Sequence, residues 1–165
     1  MDRSTALAAV PGSRLSTGPD DTHEIGRRLG AAASPGTAIA LVGPLGAGKT
    51  QLTKGIAAGL GVVSVVNSPT FVLMNEHVGR LRLHHIDAYR LGDPEEAYAA
   101  GLLDERQADG VTVIEWADRL DGWLPSERLE IRLETPSDAP AERILSWAAH
   151  GAAHAALAAE ALDRP

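Results

Sequence analysis

The sequence lacks cysteine, and this absence excludes several chemistries. With no cysteine among 165 residues, the chain forms no disulfide, carries no thiol nucleophile and builds no cysteine-ligated zinc site. No apolar run approaches the roughly 20 residues that a membrane-spanning helix needs. The first residues also lack a basic segment followed by an apolar core, which is the pattern of a secretory signal. We therefore expect a cytoplasmic protein with no membrane partner.

Positive charge is also scarce. The 15 Lys and Arg residues are outnumbered by 22 Asp and Glu residues, which gives a formal net charge of −7. Proteins that bind nucleic acid without a partner do so largely by neutralising its phosphates with Lys and Arg. We therefore expect no binding to DNA, and contact with RNA only indirectly, through a partner.

The chain divides into a short extension and one domain. Its first 17 residues are small, polar and aperiodic, so we predict a flexible N-terminal extension over residues 1–17. The hydrophobic content of 44% is ordinary for a globular protein, and the length suits one core. We therefore predict a single domain over residues 18–165. Near its start, Thr22 is predicted to cap a short helix.

The most informative stretch is GPLGAGKT at residues 43–50, a full match to the phosphate-loop pattern G-x-x-x-x-G-K-[ST]. A buried strand is predicted before it at residues 37–42, and residues 51–60 have helical spacing. The backbone N–H groups of such a loop, together with the N-terminus of the following helix, form a cradle for phosphate. Lys49 is expected to reach the β- and γ-phosphates, and the Thr50 hydroxyl to bind Mg²⁺.

Alternating or apolar runs predict the strands that follow this loop. Residues 71–77 and 80–87 flank a turn at Gly79 and predict a hairpin. The start of another helix is predicted at Asp93, because Pro and two acids follow it. Further strands are predicted at residues 110–114, 129–133 and 143–147, and a last helix at residues 152–162.

Three residues after the loop are candidates for the hydrolytic chemistry of a nucleotide site. Asp87 and Glu115 each end a predicted strand, and ligands of open α/β sheets sit at the carboxyl ends of strands. An acid after the apolar run VTVI is typical of a metal-associated position, which favours Glu115 as a partner of Thr50 at Mg²⁺. Thr70 lies in the turn Ser68-Pro69-Thr70, which could close over the phosphates.

Other motifs limit the alternatives. The guanine-reading patterns N-K-x-D and T-K-x-D are absent from the sequence, as is D-x-x-G, which favours ATP. His84 and His85 are not expected to share a metal ion, because adjacent strand residues face opposite sides. Two other functions stay open: a small-molecule kinase with Asp87 as its base, and a nucleotide switch that does not hydrolyse its ligand.

An ordered set of motifs resembles the TsaE family, the bacterial ATPases of tRNA threonylcarbamoyladenosine biosynthesis. The motifs are GPLGAGKT, then SPTF at 68–71, HIDAYR at 85–90, DPEE at 93–96 and Glu115-Trp116, and the resemblance spans about residues 20–148. It implies a small α/β phosphate-loop fold, with a mixed parallel and antiparallel sheet flanked by helices. It also implies ATP and Mg²⁺ as cofactors and weak hydrolysis by the protein alone. The implied partners are TsaD and TsaB, which transfer the threonylcarbamoyl group to the adenosine beside the anticodon.

The resemblance also assigns site residues. Its implied ATP contacts are Thr22, Leu45, Gly46, Ala47, Gly48, Lys49, Thr50, Gln51 and Trp116. Asp87, Glu115 and Thr70 match the catalytic positions, and Thr50 and Glu115 match those at the metal. Pro44 stands where family loops commonly carry an acid. Proline has no backbone N–H to donate, but phosphate binding is expected to survive because this loop position is usually not the strongest donor. The role of the acid itself is not carried over to Pro44.

Overall fold

The computed structural model describes residues 9–67, 74–91, 95 and 109–165. Within these residues, seven strands form one sheet in the order β1-β7-β6-β2-β5-β4-β3. The strands are β1 (Val10–Ser16), β2 (Ala38–Val42), β3 (Met74–His77), β4 (Leu83–Asp87), β5 (Val111–Glu115), β6 (Arg128–Glu134) and β7 (Arg143–His150). The helices of the described residues are α1 (Pro19–Ala32), α2 (Lys49–Gly59) and α3 (Ala152–Ala161).

The sheet is mixed, and its strands fall into two groups. Strands β4, β5 and β2 run parallel and are called the parallel core here. Strands β6, β7 and β1 pair antiparallel with one another and are called the antiparallel flank, with β6 joined parallel to β2. A short antiparallel strand, β3, pairs with β4 at the other edge. The predicted α/β fold with a mixed sheet is thus confirmed.

The parallel core is buried on both faces of the sheet. On one face, Ile39 and Val113 pack in the main hydrophobic cluster, which includes Leu52 of α2. On the other face, Ala40 and Ile114 belong to a second, smaller cluster. Strands covered on both sides read as continuous apolar runs, which is why β2 and β5 have the sequences AIALV and VTVIE.

Helices α1 and α2 pack closely through glycines. A Cβ atom at Gly30 would lie 2.0 Å from the carbonyl oxygen of Ile56, and one at Gly59 would lie 2.1 Å from that of Arg27. Gly26 and Gly55 meet the opposite backbone at similarly short distances. Because no side chain fits at these four positions, the two helix backbones touch directly. The helix that follows the phosphate loop is therefore held tightly against α1.

Two predictions at the N-terminus are wrong. Residues 10–16 are not a flexible extension, because β1 pairs along its whole length with β7. Gly12 of this strand lies over the ring of Trp147, where a Cβ atom would be 2.3 Å from Cζ2. Thr22 is not a helix cap, since α1 begins at Pro19 and Gly18 is its N-cap.

The other predicted elements within the described residues are confirmed. The hairpin consists of β3 and β4, and α2 ends at Gly59, just before Gly61, whose φ of 76° suits the helix end. The helix predicted from Asp93 and the strand residues 71–73 lie outside the described residues, with the exception of Glu95. Among the described helices, none has the length and apolarity that crossing a membrane requires.

Candidate nucleotide-binding site

The phosphate loop lies between the carboxyl end of β2 and the first residue of α2. Gly46 has a φ of 80° and Gly48 a φ of 100°, a region that side chains with a Cβ atom rarely adopt. Ala47 donates its N–H to the carbonyl of Pro44 at 3.1 Å, which closes the turn. Pro44 thus acts through its carbonyl, and its missing N–H is not needed for this turn.

Lys49 is almost buried at the start of α2, with 5% of its surface exposed. Its Nζ donates to the carbonyls of Gly43 at 2.5 Å and Pro44 at 3.0 Å. The same atom lies 3.8 Å from the ring centroid of Trp116, a cation–π distance. Burial lowers the pKa of Lys49, and the nearby carboxylates, Glu115 first among them, oppose this effect. The loop therefore holds a positive charge beside the cradle that phosphate would enter.

Glu115 connects the phosphate-loop helix to the sheet. Its Oε1 accepts a hydrogen bond from Thr50 Oγ1 at 2.9 Å, and its Oε2 lies 2.5 Å from Nε2 of His85. The side chains of Glu115 and His85 are only 3% and 0% exposed. The structure thus brings together the two residues predicted to bind the metal, at the carboxyl end of β5.

The oxygens of Thr50 and Glu115 fit Mg²⁺ chemically. Mg²⁺ prefers oxygen ligands, and proteins usually hold it through one or two carboxylates together with phosphate oxygens and water. In the part of the chain that the structure describes, no cluster of three or more His, Asp or Glu residues suits a metal ion. Phosphate oxygens and water would complete a site made of one hydroxyl and one carboxylate.

Asp87 lies next to Glu115, because the Cα atoms of the two residues are register partners in β4 and β5. Its Oδ1 accepts the backbone N–H of Tyr89 at 2.9 Å. Burial raises the pKa of Asp87 above its ordinary value, and the negative charge of Glu115 adds to this, while the Tyr89 N–H opposes it. A carboxylate with a raised pKa is suited to accepting a hydrogen bond or a proton.

Trp116 forms one wall of the site in a strained backbone conformation. Among the described residues it is the one non-glycine residue with a positive φ, at 57°. Its ring lies between Lys49 and Tyr89, whose ring centroid is 4.9 Å away. The left-handed conformation costs an ordinary residue about 1–2 kcal/mol, and such strain is concentrated at functional sites.

These residues surround a cavity of about 390 Å³. Its lining consists of Leu45, Gly46, Ala47, Gly48, Lys49, Thr50, Gln51, Asp87, Tyr89, Glu115 and Trp116. All predicted site residues except Thr22 and Thr70 are therefore together. Thr70 lies outside the described residues.

Thr22 lies on the other side of the phosphate loop. It lines a second cavity of about 250 Å³, together with Gly48, Gln51 and Arg143. Its hydroxyl is 2.6 Å from that of Ser16, and its surface is 1% exposed. Gln51 lines both cavities, so Thr22 is a close neighbour of the phosphate cradle rather than part of it.

Three residues at the site are not predicted from the sequence. Arg143, the first residue of β7, donates from Nη2 to the carbonyl of Gly46 and from Nε to that of Ala47, both at 3.1 Å. Nothing local in the sequence marks it, because it lies far along the chain from the loop. Tyr89 and His85 were visible as parts of the HIDAYR motif, and His85 shares its strand face with Asp87.

Comparisons with known proteins place the chain in one family. The family described as "Threonylcarbamoyl adenosine biosynthesis protein TsaE" matches residues 16–144. The chain belongs to the TsaE family. It is 42% identical over 134 residues to the tRNA threonylcarbamoyladenosine biosynthesis protein TsaE of Bacillus subtilis, covering 81% of this chain and 82% of the relative. It is 38% identical over 156 residues to the protein of that name from Mycobacterium tuberculosis, covering 88% and 92%.

A solved structure supports the fold of this TsaE family member. The chain is similar to the crystal structure of Bacillus subtilis YdiB, with a TM-score of 0.76 and 33% sequence identity. The likeness covers 92% of this chain and 94% of YdiB. The resemblance drawn from the motifs, and the fold that it implied, are therefore confirmed.

Proposed function

We propose that this protein binds ATP with Mg²⁺ and hydrolyses it slowly, as a cytoplasmic accessory of tRNA threonylcarbamoyladenosine biosynthesis. Its ATPase activity supports repeated turnover of the TsaB–TsaD complex that transfers the threonylcarbamoyl group. The family and the names of its relatives support the pathway. The observation that carries the ATPase is the 2.9 Å contact of Thr50 with Glu115 beside the phosphate loop.

Each part of the cavity has a role in this proposal. The loop amides and Lys49 bind the phosphates, and the oxygens of Thr50 and Glu115 hold Mg²⁺. When bound, Mg²⁺ neutralises charge on the phosphate oxygens. Asp87 lies in register with Glu115 on the same cavity, so it is placed to accept a hydrogen bond from a water molecule and orient it.

Two features support the binding of protein partners: the candidate nucleotide site and the negative net charge. The chain has a site suited to nucleotide hydrolysis, and its net charge of −7 disfavours gripping tRNA alone. In this proposal, ATP hydrolysis by this protein therefore drives a step that a partner protein carries out. In the proposed cycle, the ATP-bound form docks on TsaB and TsaD, and hydrolysis releases or resets the complex.

The first test measures hydrolysis in the absence of any small-molecule acceptor. Phosphate release from ATP is expected for the wild-type protein. The Glu115→Ala variant should hydrolyse ATP about 100-fold more slowly, because it lacks the carboxylate that holds the charge-neutralising Mg²⁺. Binding of a fluorescent ATP analogue should change far less. A requirement for an acceptor would favour a kinase, and no turnover, alone or with partners, would favour a switch.

The second test measures coupling to the partners. The purified protein is mixed with TsaB and TsaD in ATP, ADP or no nucleotide, and the size of the complex is measured by light scattering. Association should be tightest with ATP, and the Glu115→Ala variant should fail to support multiple rounds of tRNA modification. Equal association in all three conditions, with normal turnover by the variant, would defeat the coupling.

A further inference from the structure

His85 lies inside the parallel core, on the face of the sheet that carries Asp87 and Glu115. Its side chain is 0% exposed, and Nε2 lies 2.5 Å from Oε2 of Glu115. The other oxygen of that carboxylate, Oε1, is 2.9 Å from Thr50 Oγ1. The two oxygens of Glu115 thus have different partners: one inside the sheet, and one on the phosphate-loop helix.

Packing alone does not explain a histidine at this place. Nδ1 of His85 is buried and has no hydrogen-bond partner among the described residues. Burying a polar atom without a partner costs about 1–3 kcal/mol, so an apolar side chain between Leu83 and Asp87 would serve the core better. What an apolar side chain could not do is donate a hydrogen bond to Oε2 of Glu115.

The sheet register explains why this contact is well defined. His85 is the Cα partner of Val113, and Asp87 is the Cα partner of Glu115, so the imidazole lies one residue pair deeper in the sheet than the carboxylate. Neither strand is at an edge of the sheet, because β3 lies outside β4. Because Nε2 of His85 holds Oε2, the carboxylate cannot rotate freely, and Oε1 stays beside the Thr50 hydroxyl.

We infer that His85 is a positioning residue: by donating from Nε2 to Oε2, it fixes the Glu115 carboxylate so that Oε1 and Thr50 Oγ1 face a divalent cation together. The inference rests on the proposed function, since it needs a Mg²⁺–nucleotide site at Thr50 and Glu115. His85 itself is not a ligand in this arrangement. Residues that orient metal ligands in this way typically contribute about 10–100-fold in metal affinity.

The neighbouring His84 offers a matched control. It is also buried, at 5% exposure, but it is the Cα partner of Glu76, and its Nδ1 lies 3.5 Å from Oε1 of that residue. Because adjacent strand residues face opposite sides of the sheet, His84 is directed away from Glu115. A substitution there perturbs the same strand without touching the carboxylate.

The test uses Mn²⁺ as the metal probe and a fluorescent ATP analogue as the nucleotide probe. Binding of the analogue is titrated with Mn²⁺ for the wild type and for the variants His85→Leu, His85→Gln and His84→Gln. For His85→Leu, the Mn²⁺ concentration that gives the half-maximal effect on analogue binding should rise by about 10-fold or more. The affinity for the analogue in the absence of metal should be unchanged. His85→Gln should stay within about threefold of the wild type, because its amide nitrogen can replace Nε2 as the donor. His84→Gln should behave like the wild type.

A folded His85→Leu variant with the wild-type Mn²⁺ dependence would overturn the inference, as would an equal shift in His84→Gln. If circular dichroism shows that His85→Leu does not fold, His85→Asn replaces it, because its shorter side chain ends near the position of Nδ1 and cannot reach Glu115. Equal Mn²⁺ dependence of the Asn and Gln variants would then overturn the inference.

The Mn²⁺ titrations distinguish a wrong metal–nucleotide site from a wrong role for His85. If the wild-type protein binds the analogue without any effect of Mn²⁺, the metal–nucleotide site itself is wrong. If the wild type responds to Mn²⁺ and all His85 variants respond in the same way, only the role of His85 is wrong.

Discussion

The parallel core and the antiparallel flank are parts of one sheet, but they differ in how they are covered. Strand β5 of the core is buried at all of its positions, whereas β6 of the flank alternates, with Ile131 and Leu133 inside and Arg132 and Glu134 exposed. Parallel strands are typically covered on both faces, and antiparallel strands can leave one face to water. The flank therefore tolerates solvent where the core does not.

The same difference separates their contributions to the site. All strands of the parallel core end at the same edge of the sheet, so the phosphate loop, Asp87 and Glu115 meet there. The flank contributes mainly support: Arg143 of β7 binds two loop carbonyls from outside. We therefore expect substitutions in the core to change nucleotide chemistry, and those in the flank to change loop order or stability.

The largest effect on ATP affinity is expected at Lys49, where the phosphate loop meets α2. Lys49→Ala should lower the affinity for ATP by about 100-fold or more, because charge-assisted hydrogen bonds contribute about 1.5–3 kcal/mol each and two phosphates are contacted. Titration of a fluorescent ATP analogue measures this change. Lys54→Ala, on the same helix, is the control, and equal affinity of the Lys49→Ala variant and the wild type would refute the phosphate-loop assignment.

The second effect is on turnover. Asp87→Asn should reduce ATP hydrolysis by about 100-fold while changing the affinity for ATP little, because a water-orienting group acts mainly on the transition state. Its raised pKa means that the folded state disfavours the carboxylate, so the variant should also unfold no more easily than the wild type at pH 7. Steady-state kinetics and urea denaturation check the two statements, and a loss of stability equal to the loss of activity would contradict them.

A smaller effect is expected where the flank meets the loop. Arg143→Gln should weaken ATP binding by about fivefold to tenfold, because two hydrogen bonds that hold the loop carbonyls outward are lost from a partly exposed site. Arg132→Gln, on the exposed face of the same flank, should have no effect. A change as large as that of Lys49→Ala would mean that the flank contributes directly to the site.

The smallest effect concerns stability and pH. His154 of α3 is buried, and its Nε2 accepts the backbone N–H of Ala38 at 3.1 Å. Burial lowers its pKa below the ordinary value of 6.5, so below that pH the unfolded chain binds more protons and the free energy of unfolding falls. His154→Gln keeps an acceptor for Ala38 and should reduce this fall between pH 7 and pH 5.5 in urea denaturation. An unchanged pH dependence would exclude His154 as a contributor.

The sequence predicts the parallel core better than the flank, for a physical reason. The phosphate loop and the apolar runs of β2 and β5 carry their structural signals within a few residues. Strand β1 does not: Pro11 and Gly12 are poor strand residues, and β1 exists because β7 pairs with it and Trp147 packs over Gly12. The role of Arg143 also depends on a contact between distant parts of the chain.

The start of α1 was predictable, although it was predicted wrongly. Gly18-Pro19-Asp20-Asp21 is the pattern of a helix start, with Pro in the first turn and two acids beside it. Thr is common at N-caps, which favours Thr22 from the sequence, but in the structure its N–H donates to the carbonyl of Gly18 inside the helix. The HIDAYR motif contains His85, but its contact with Glu115 depends on strand order and register, which the sequence does not reveal.

The glycines between α1 and α2 are required by the architecture alone, and a selection experiment would separate them from residues that a ligand requires. A library of random variants selected only for a folded product should keep glycine at Gly26, Gly30, Gly55 and Gly59, because any larger residue would push two backbones apart. Under the same selection, position 50 should accept residues other than Thr, since folding does not require the Thr50 hydroxyl. Adding a requirement for ATP would restore it and leave the four helix glycines unchanged, so the two selections together would map which residues serve the architecture and which serve the ligand.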